Sequence, residues 1–155
     1  MTRGSRVKEI VLASGVRTPI GNFGGAFKDT PPQHLARIVI AETLKRAHFD
    51  PALLDEVIFG CIAQPSDAAN IARVAALMAG VPVGVPAFTV SRNCASGLQA
   101  ITSACQAILA GDGDLYLCGG TESMSTIPYV SKGARWGLRI RHAQLTDALW
   151  EGLTD

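Results

Sequence analysis

Four cysteines and three histidines are the nucleophiles and soft ligands of this 155-residue chain, and one of them, Cys94, sits in a context that could do chemistry. It lies in FTVSRNCASGLQAITSACQAILAGDGD, Phe88 to Asp114, where no charged residue falls between Arg92 and Asp112 and a short apolar run gives way to a helical pattern. A thiol at the start of a helix meets free N–H groups and positive partial charge, which favour the thiolate and can receive a developing oxyanion. The small residues Ala95-Ser96-Gly97 keep such a sulfur accessible. A helix end contributes only ~0.3–1 kcal/mol, so an ordinary thiol placed there stays mostly protonated at neutral pH. Efficient nucleophilic catalysis therefore asks for a partner base, typically histidine, and a second donor for the oxyanion. His34 falls in the first turn of a helix, His48 at its far end and His142 in an irregular tail, and each reads as a solvated or capping residue. On its residues alone Cys94 is thus a nucleophile or a small buried spacer. Cys61 and Cys105, inside core elements, read as spacers.

The elements that must position Cys94 follow from apolar periodicity. Lys8 to Ser14 (KEIVLAS) has strand character and leads into a Gly/Pro/Asn-rich loop. Thr30-Pro-Pro-Gln33 has the form of a capping box with proline at the first helical position. Leu35, Val39, Ile40, Leu44 and Ala47 then recur at helical spacing, with Glu42 able to meet Lys45 and Arg46. Val57 to Ala63 is a continuous apolar run, as expected of a strand covered on both faces. A second helix is predicted around Asn70 to Ala79 on Ile71, Val74, Leu77 and Met78, with Gly80 as its stop. Ala87 to Ser91 is a third strand, Cys94 to Ala110 a third helix ended by Gly111, and Leu115 to Cys118 a fourth strand.

The order β-α-β-α-β-α-β predicts a layered α/β fold, α-β-α, with a mostly parallel sheet and ligands at the carboxyl ends of its strands. Cys94 sits just beyond one such end. The third helix carries a bulky stripe (Leu98, Ile101, Cys105, Ile108, Leu109) and a small one (Gly97, Ala100, Ala104, Ala107) on which another backbone can approach closely, the pattern of a helix buried nearly all round. From Ser123 onward the chain turns aromatic and basic, with little periodicity and no clear last element.

Composition narrows the function. With 48% apolar and 17% charged residues and a mean hydropathy of +0.24, the chain is apolar for a globular domain, and a body of this size buries roughly 68–70% of its unfolded surface. A net charge of +1, mixed along the chain, gives no electrostatic footprint for nucleic acid or an anionic membrane. The charge-free run is broken by Asn93, Ser96, Gln99, Thr102, Ser103 and Gln106, so a membrane span is not expected. The N-terminal apolar stretch is too short for a secretory signal, and a cytoplasmic protein is expected. The scattered cysteines, with no C-x-x-C, fit neither a metal site nor a disulfide framework.

"RTPIGNFGGAF" after the first strand, "NCASGLQAI" around Cys94, "GGTESMS" after the fourth strand, and "ARWGL" and "LWEGLTD" near the end together resemble the N-terminal half of the thiolase family, the acetyl-CoA acetyltransferases and 3-ketoacyl-CoA thiolases. The resemblance runs over nearly the whole chain. It implies that Cys94 is the acyl-accepting cysteine, that its N–H contributes to an oxyanion hole, and that the substrates are CoA thioesters handled without metal or redox cofactor. It also implies residues 1–122 as an N-terminal half-domain and 123–155 as the opening of a CoA-binding loop domain. Thiolases are more than twice this long, and their later G-H-P histidine motif and C-x-G-G-G motif have no match here; Cys118-Gly119-Gly120 ends the fourth strand and is not that second cysteine. The isolated chain is therefore expected to be inactive by itself, and to associate as a homo-oligomer or with a C-terminal thiolase half. The alternatives are a non-catalytic thiolase-like module that carries acyl groups or serves assembly, and a ketoacyl-synthase relative, against which the wording of "ASGLQAI" and "GGTESMS" speaks.

Overall fold

A computed structural model describes residues 8–140 and 142–154. Arg141, one of the basic residues of the tail, lies outside them. Helix α1 (Pro32–Ala47) is followed by strand β1 (Glu56–Gly60), helix α2 (Ile71–Met78), strand β2 (Ala87–Val90), helix α3 (Ser96–Ala110) and strand β3 (Tyr116–Gly120). The three strands form one parallel sheet in the order β2-β1-β3, with Val57 opposite Ala87 and Leu117, and Ile58 opposite Phe88 and Cys118.

This register divides the core. Val57, Phe59 and Leu117 face Ala36 and Ile40 of α1 and Ala72, Ala75 and Ala76 of α2, whereas Ile58 and Cys118 face Ala100 and Ala104 of α3. The result is the expected three-layer α/β sandwich, with β1 covered on both faces and four of its five residues buried. No helix among the described residues is long and apolar enough to cross a membrane.

Several local expectations are corrected. Lys8–Ser14 is not a strand among the described residues. The Lys8 ammonium donates to Asp114 at 2.5 Å and to the Ile108 carbonyl, but a cavity of about 450 Å3 separates residues 14–23 from Leu117–Gly120, and Val11 and Leu12 are 74% and 77% exposed. With no neighbouring strand and no buried face, strand propensity has nothing to pack against. The capping box does not form either. Pro31 occupies the N-cap position without a side-chain cap, the Thr30 carbonyl accepts from the Ser123 hydroxyl, and Gln33 turns to Asp67. The exposed Glu42–Arg46 pair does form, at 2.6 Å.

Helices α2 and α3 are less enclosed than expected. Ile71 of the α2 stripe is buried, and the small stripe of α3 meets the sheet at close approach as its residues implied, but α3 is not buried nearly all round. In α2 the alanines point inward while Leu77 and Met78 are exposed; in α3 Ala100 and Ala104 are buried while Leu98 and Leu109 are 67% and 59% exposed. Small residues permit the close approach of helix to sheet, so the bulky stripe is left outside. Beyond β3, a two-stranded antiparallel ribbon of β4 (Tyr129–Val130) and β5 (Thr146–Asp147) leads into a short helix α4 (Ala148–Leu153), capped by the Asp147 carboxylate. The tail thus ends its described part on an element the sequence did not reveal.

Candidate active site

Helix α3 starts two residues later than expected, at Ser96, so that Cys94 belongs to the connection between β2 and α3 rather than to the helix. The connection is a tight, self-locked turn. Asn93 takes a left-handed backbone, φ 47°, a conformation asparagine tolerates better than other side chains. Ser96, only 5% exposed, fastens it from both ends: its hydroxyl donates to the Asn93 carbonyl at 2.6 Å and accepts the Arg92 N–H at 2.7 Å. The Ala95 N–H donates to the Arg92 carbonyl and the Ser96 N–H to that of Asn93. Cys94 is thereby held out from the body and is exposed, which removes the buried-spacer reading left open by its spacing.

Two glycines seat this turn on the sheet. A Cβ at Gly60, the last residue of β1, would lie 2.3 Å from the Ser96 carbonyl carbon and 2.5 Å from the Gly97 nitrogen. At Gly120, the last residue of β3, a Cβ would lie 3.2 Å from the Gly97 Cα. The beginning of α3 therefore rests directly on the carboxyl ends of two parallel strands. The first amides of a helix have no partner within it. That of Ser96 is used by the turn, while those of Cys94, Gly97 and Leu98 donate to no backbone carbonyl outside the helix among the described residues. An exposed thiol within four residues of free amides at a positive helix end is suited to receiving an acyl group and its oxyanion.

Beside the turn, the Arg92 guanidinium donates to the Gln99 side-chain carbonyl, and the Gln99 amide donates to Ser103 at 3.1 Å, a polar ladder along α3. His34, His48 and His142 are all exposed, and none is hydrogen-bonded to Cys94 among the described residues. The other thiols are set apart by their surroundings. Burial, then the charge and hydrogen bond of Glu122, push Cys61 up to about 12; burial, then neighbouring Cys105, push Cys118 up to about 11. No cluster of three or more metal-ligating side chains is found among the described residues.

Sequence reading missed Gly60, Ser96 and Glu122. Gly60 had a signal, since a glycine inside an otherwise apolar strand marks the approach of another backbone. Ser96 and Glu122 depend on contacts distant in sequence.

The comparisons with known proteins agree with this architecture. The family described as "Thiolase, N-terminal domain" matches residues 10–155. An acetyl-CoA acetyltransferase of Syntrophomonas wolfei is 43% identical over 151 residues, 96% of this chain and 38% of that protein. A probable acetyl-CoA acyltransferase of Staphylococcus epidermidis is 45% identical over 150 residues, with the same shares covered. The crystal structure of the Bacillus anthracis acetyl-CoA acetyltransferase superposes with a TM-score of 0.86 at 46% identity, covering 92% of this chain and 36% of that one. The chain thus spans about 38% of the length of the curated relatives it matches.

Proposed function

The chain belongs to the thiolase family, and from that premise we propose that Cys94 is the acyl-accepting nucleophile of an acyl transfer between CoA thioesters. The observation that carries this is an exposed thiol on a locked turn, seated at the carboxyl ends of parallel strands within four residues of free helix amides.

The Cys94 sulfur attacks the carbonyl carbon of an acyl-CoA. As the C–S bond forms, the carbonyl oxygen takes up negative charge and faces the amides at the start of α3, where each well-aligned donor is worth ~2.7–4 kcal/mol of barrier. The bond to the CoA sulfur then breaks, and CoA leaves as a thiolate that accepts the proton given up by Cys94. In the synthetic direction an acetyl-CoA carbanion attacks the Cys94 thioester to give a 3-ketoacyl-CoA; in the degradative direction the CoA thiol releases the shortened acyl chain. The condensation breaks the acetyl C–H bond and the Cys94 C–S bond and forms one C–C bond, with the proton passing to a base and the sulfur leaving as thiolate. There is no net oxidation or reduction, so these polar steps call for no metal or redox cofactor.

The base for these proton transfers is proposed to come from outside the 155 residues, because no histidine is paired with Cys94 among those described. Residues 1–122 then serve as the half-domain that presents the nucleophile, and residues 123–155 begin the part that meets CoA. Turnover requires a C-terminal thiolase half, in the same chain or in trans.

The test is intact-mass measurement after incubation with acetyl-CoA, followed by a thiolysis assay with and without a separately produced C-terminal thiolase half. One acetyl addition, lost in Cys94→Ala, and thiolysis only in the reconstituted mixture are expected. No adduct at Cys94 sinks the reading. A stable adduct without turnover beside every C-terminal half supports the acyl-carrying module instead.

A further inference from the structure

We propose that Glu122 is a positioning residue for Cys94, acting through the end of β1; the inference rests on the acyl-transfer reading above. The Glu122 carboxylate, two residues beyond β3, reaches across the strand ends. Its Oε2 accepts the Ile62 N–H at 2.8 Å, and its Oε1 accepts the Ala63 N–H at 3.2 Å and the Cys61 S–H at 3.6 Å. It has no cationic partner among the described residues, so backbone amides and one thiol are what hold its charge. Hydrogen bonds from N–H to carboxylate are about twice as strong as neutral ones. They take over where the β1–β3 ladder stops, just past the Thr121 N–H to Gly60 carbonyl bond at 3.0 Å. The raised Cys61 thiol, pushed up to about 12, is a lasting S–H donor to this carboxylate at any physiological pH.

The segment that Glu122 fixes touches the Cys94 turn on both sides. On one side, the Cys61 N–H donates to the Val90 carbonyl at 3.2 Å, four residues before Cys94. On the other, Gly60 lies against the backbone of Ser96 and Gly97, two and three residues after it. Residues 60–63 are thus the platform from which the turn takes its height and tilt, and the free amides take theirs with it. Glutamine is the sharp substitution. Its side chain has the same shape but only one acceptor oxygen, so the Ile62 or the Ala63 N–H must face an NH2 group. The platform end then loosens and shifts the turn and the α3 amides relative to the sulfur, while no atom of Cys94 or of those amides is removed and the sulfur stays exposed.

The 155-residue chain and its Glu122→Gln variant are compared in two reactions of Cys94. Acetylation by acetyl-CoA, followed by intact mass across acetyl-CoA concentrations, requires sulfur and amides in register. Alkylation by iodoacetamide, followed at the Cys94 peptide, requires an accessible thiolate but no oxyanion donors in register. In Glu122→Gln the maximal acetylation rate is expected to fall about tenfold, since errors of about 1 Å cost up to 10²-fold in such geometry. The half-saturating acetyl-CoA concentration and the alkylation rate are expected to stay within about twofold. Cys61→Ala removes only the weak S–H bond and keeps both amide bonds to Glu122 and the Cys61 N–H bond to Val90, so it is expected to slow acetylation clearly less than Glu122→Gln, by about threefold at most. Equal acetylation in parent and Glu122→Gln overturns the proposal and leaves the acyl-transfer reading standing. So do a parallel loss of alkylation, a loss in Cys61→Ala as large as in Glu122→Gln, or loss of the native circular dichroism in Glu122→Gln, each of which marks general loosening. A parent chain that is never acetylated removes the acyl-transfer reading itself, and this role with it.

Discussion

Replacing Gly60 by alanine puts one methyl group where the start of α3 already is. Built on the backbone, that Cβ lies 2.3 Å from the Ser96 carbonyl carbon and 2.5 Å from both the Ser96 oxygen and the Gly97 nitrogen, whereas ordinary contacts begin near 3.4 Å. All three atoms are backbone, so no side-chain rotation relieves the clash, and either β1 or the Cys94 turn must move by about 1 Å. Overpacking of this kind costs about 1–3 kcal/mol, and the rigidity of both partners puts Gly60→Ala at the upper end. Against a total stability of about 5–15 kcal/mol this is a large loss, readable as a drop in urea midpoint at constant slope. The same displacement is expected to slow Cys94 acetylation by about 10²-fold. Gly97→Ala is the counterpart: its Cβ meets nothing within 4 Å, and alanine in place of glycine inside a helix stabilises by up to about 1 kcal/mol. A Gly60→Ala chain within about 0.5 kcal/mol of the parent, a shift usual for an innocuous surface change, would refute the claim that α3 sits backbone-to-backbone on the strand ends.

The remaining expectations concern the thiols, acid stability and association. Iodoacetamide at pH 8 is expected to modify Cys94 in the native chain and spare Cys61, whose thiolate fraction at a pKa of about 12 is only about one in ten thousand; labelling of Cys61 as fast as Cys94, without unfolding, contradicts its burial. Asp55 accepts the Asp114 and Leu115 N–H groups at 2.7 and 2.9 Å, and these bonds hold its carboxyl below the ordinary 3.8. A carboxyl depressed in the folded state stabilises above its unfolded pKa and loses that contribution as pH falls through the folded one. Urea midpoints should therefore fall on acidification below about pH 4, less steeply in Asp55→Asn, and equal slopes in both chains count against the caps. The exposed Leu98 and Leu109 on α3 predict association at micromolar concentration, weakened by a Leu98→Glu, Leu109→Glu double substitution; sedimentation of the parent as a clean monomer speaks against it.

What could be read from the sequence and what could not follows from the range of the interactions. The Val57–Ala63 run, the third helix with its Gly111 stop at φ 90°, and the placement of Cys94 past a strand end are local patterns, and they appear within three residues of where periodicity put them. How far α2 and α3 are enclosed was not legible, because spacing identifies the stripes of a helix but not what covers each; the parallel strands accept Ala100 and Ala104 and leave Leu98 outside. Thr30 and Gln33 match a capping box as letters, yet their backbone and side-chain groups are claimed by Ser123 and Asp67, far along the chain. KEIVLAS has strand composition without a neighbouring strand to pair with among the described residues. Glu122 follows two glycines and shows its meaning only when the ends of β1 and β3 are brought together. The exposure of Cys94 was foreshadowed by its small neighbours, but the lock provided by Ser96 was not.

The most direct measurement is peptide-level mass spectrometry of the chain after incubation with acetyl-CoA, with Cys94→Ala alongside. One acetyl group on the peptide containing Cys94, none on those containing Cys61, Cys105 or Cys118, and none in the variant is the expected result. An acetyl group spread over several cysteines, or an unmodified Cys94, contradicts the account.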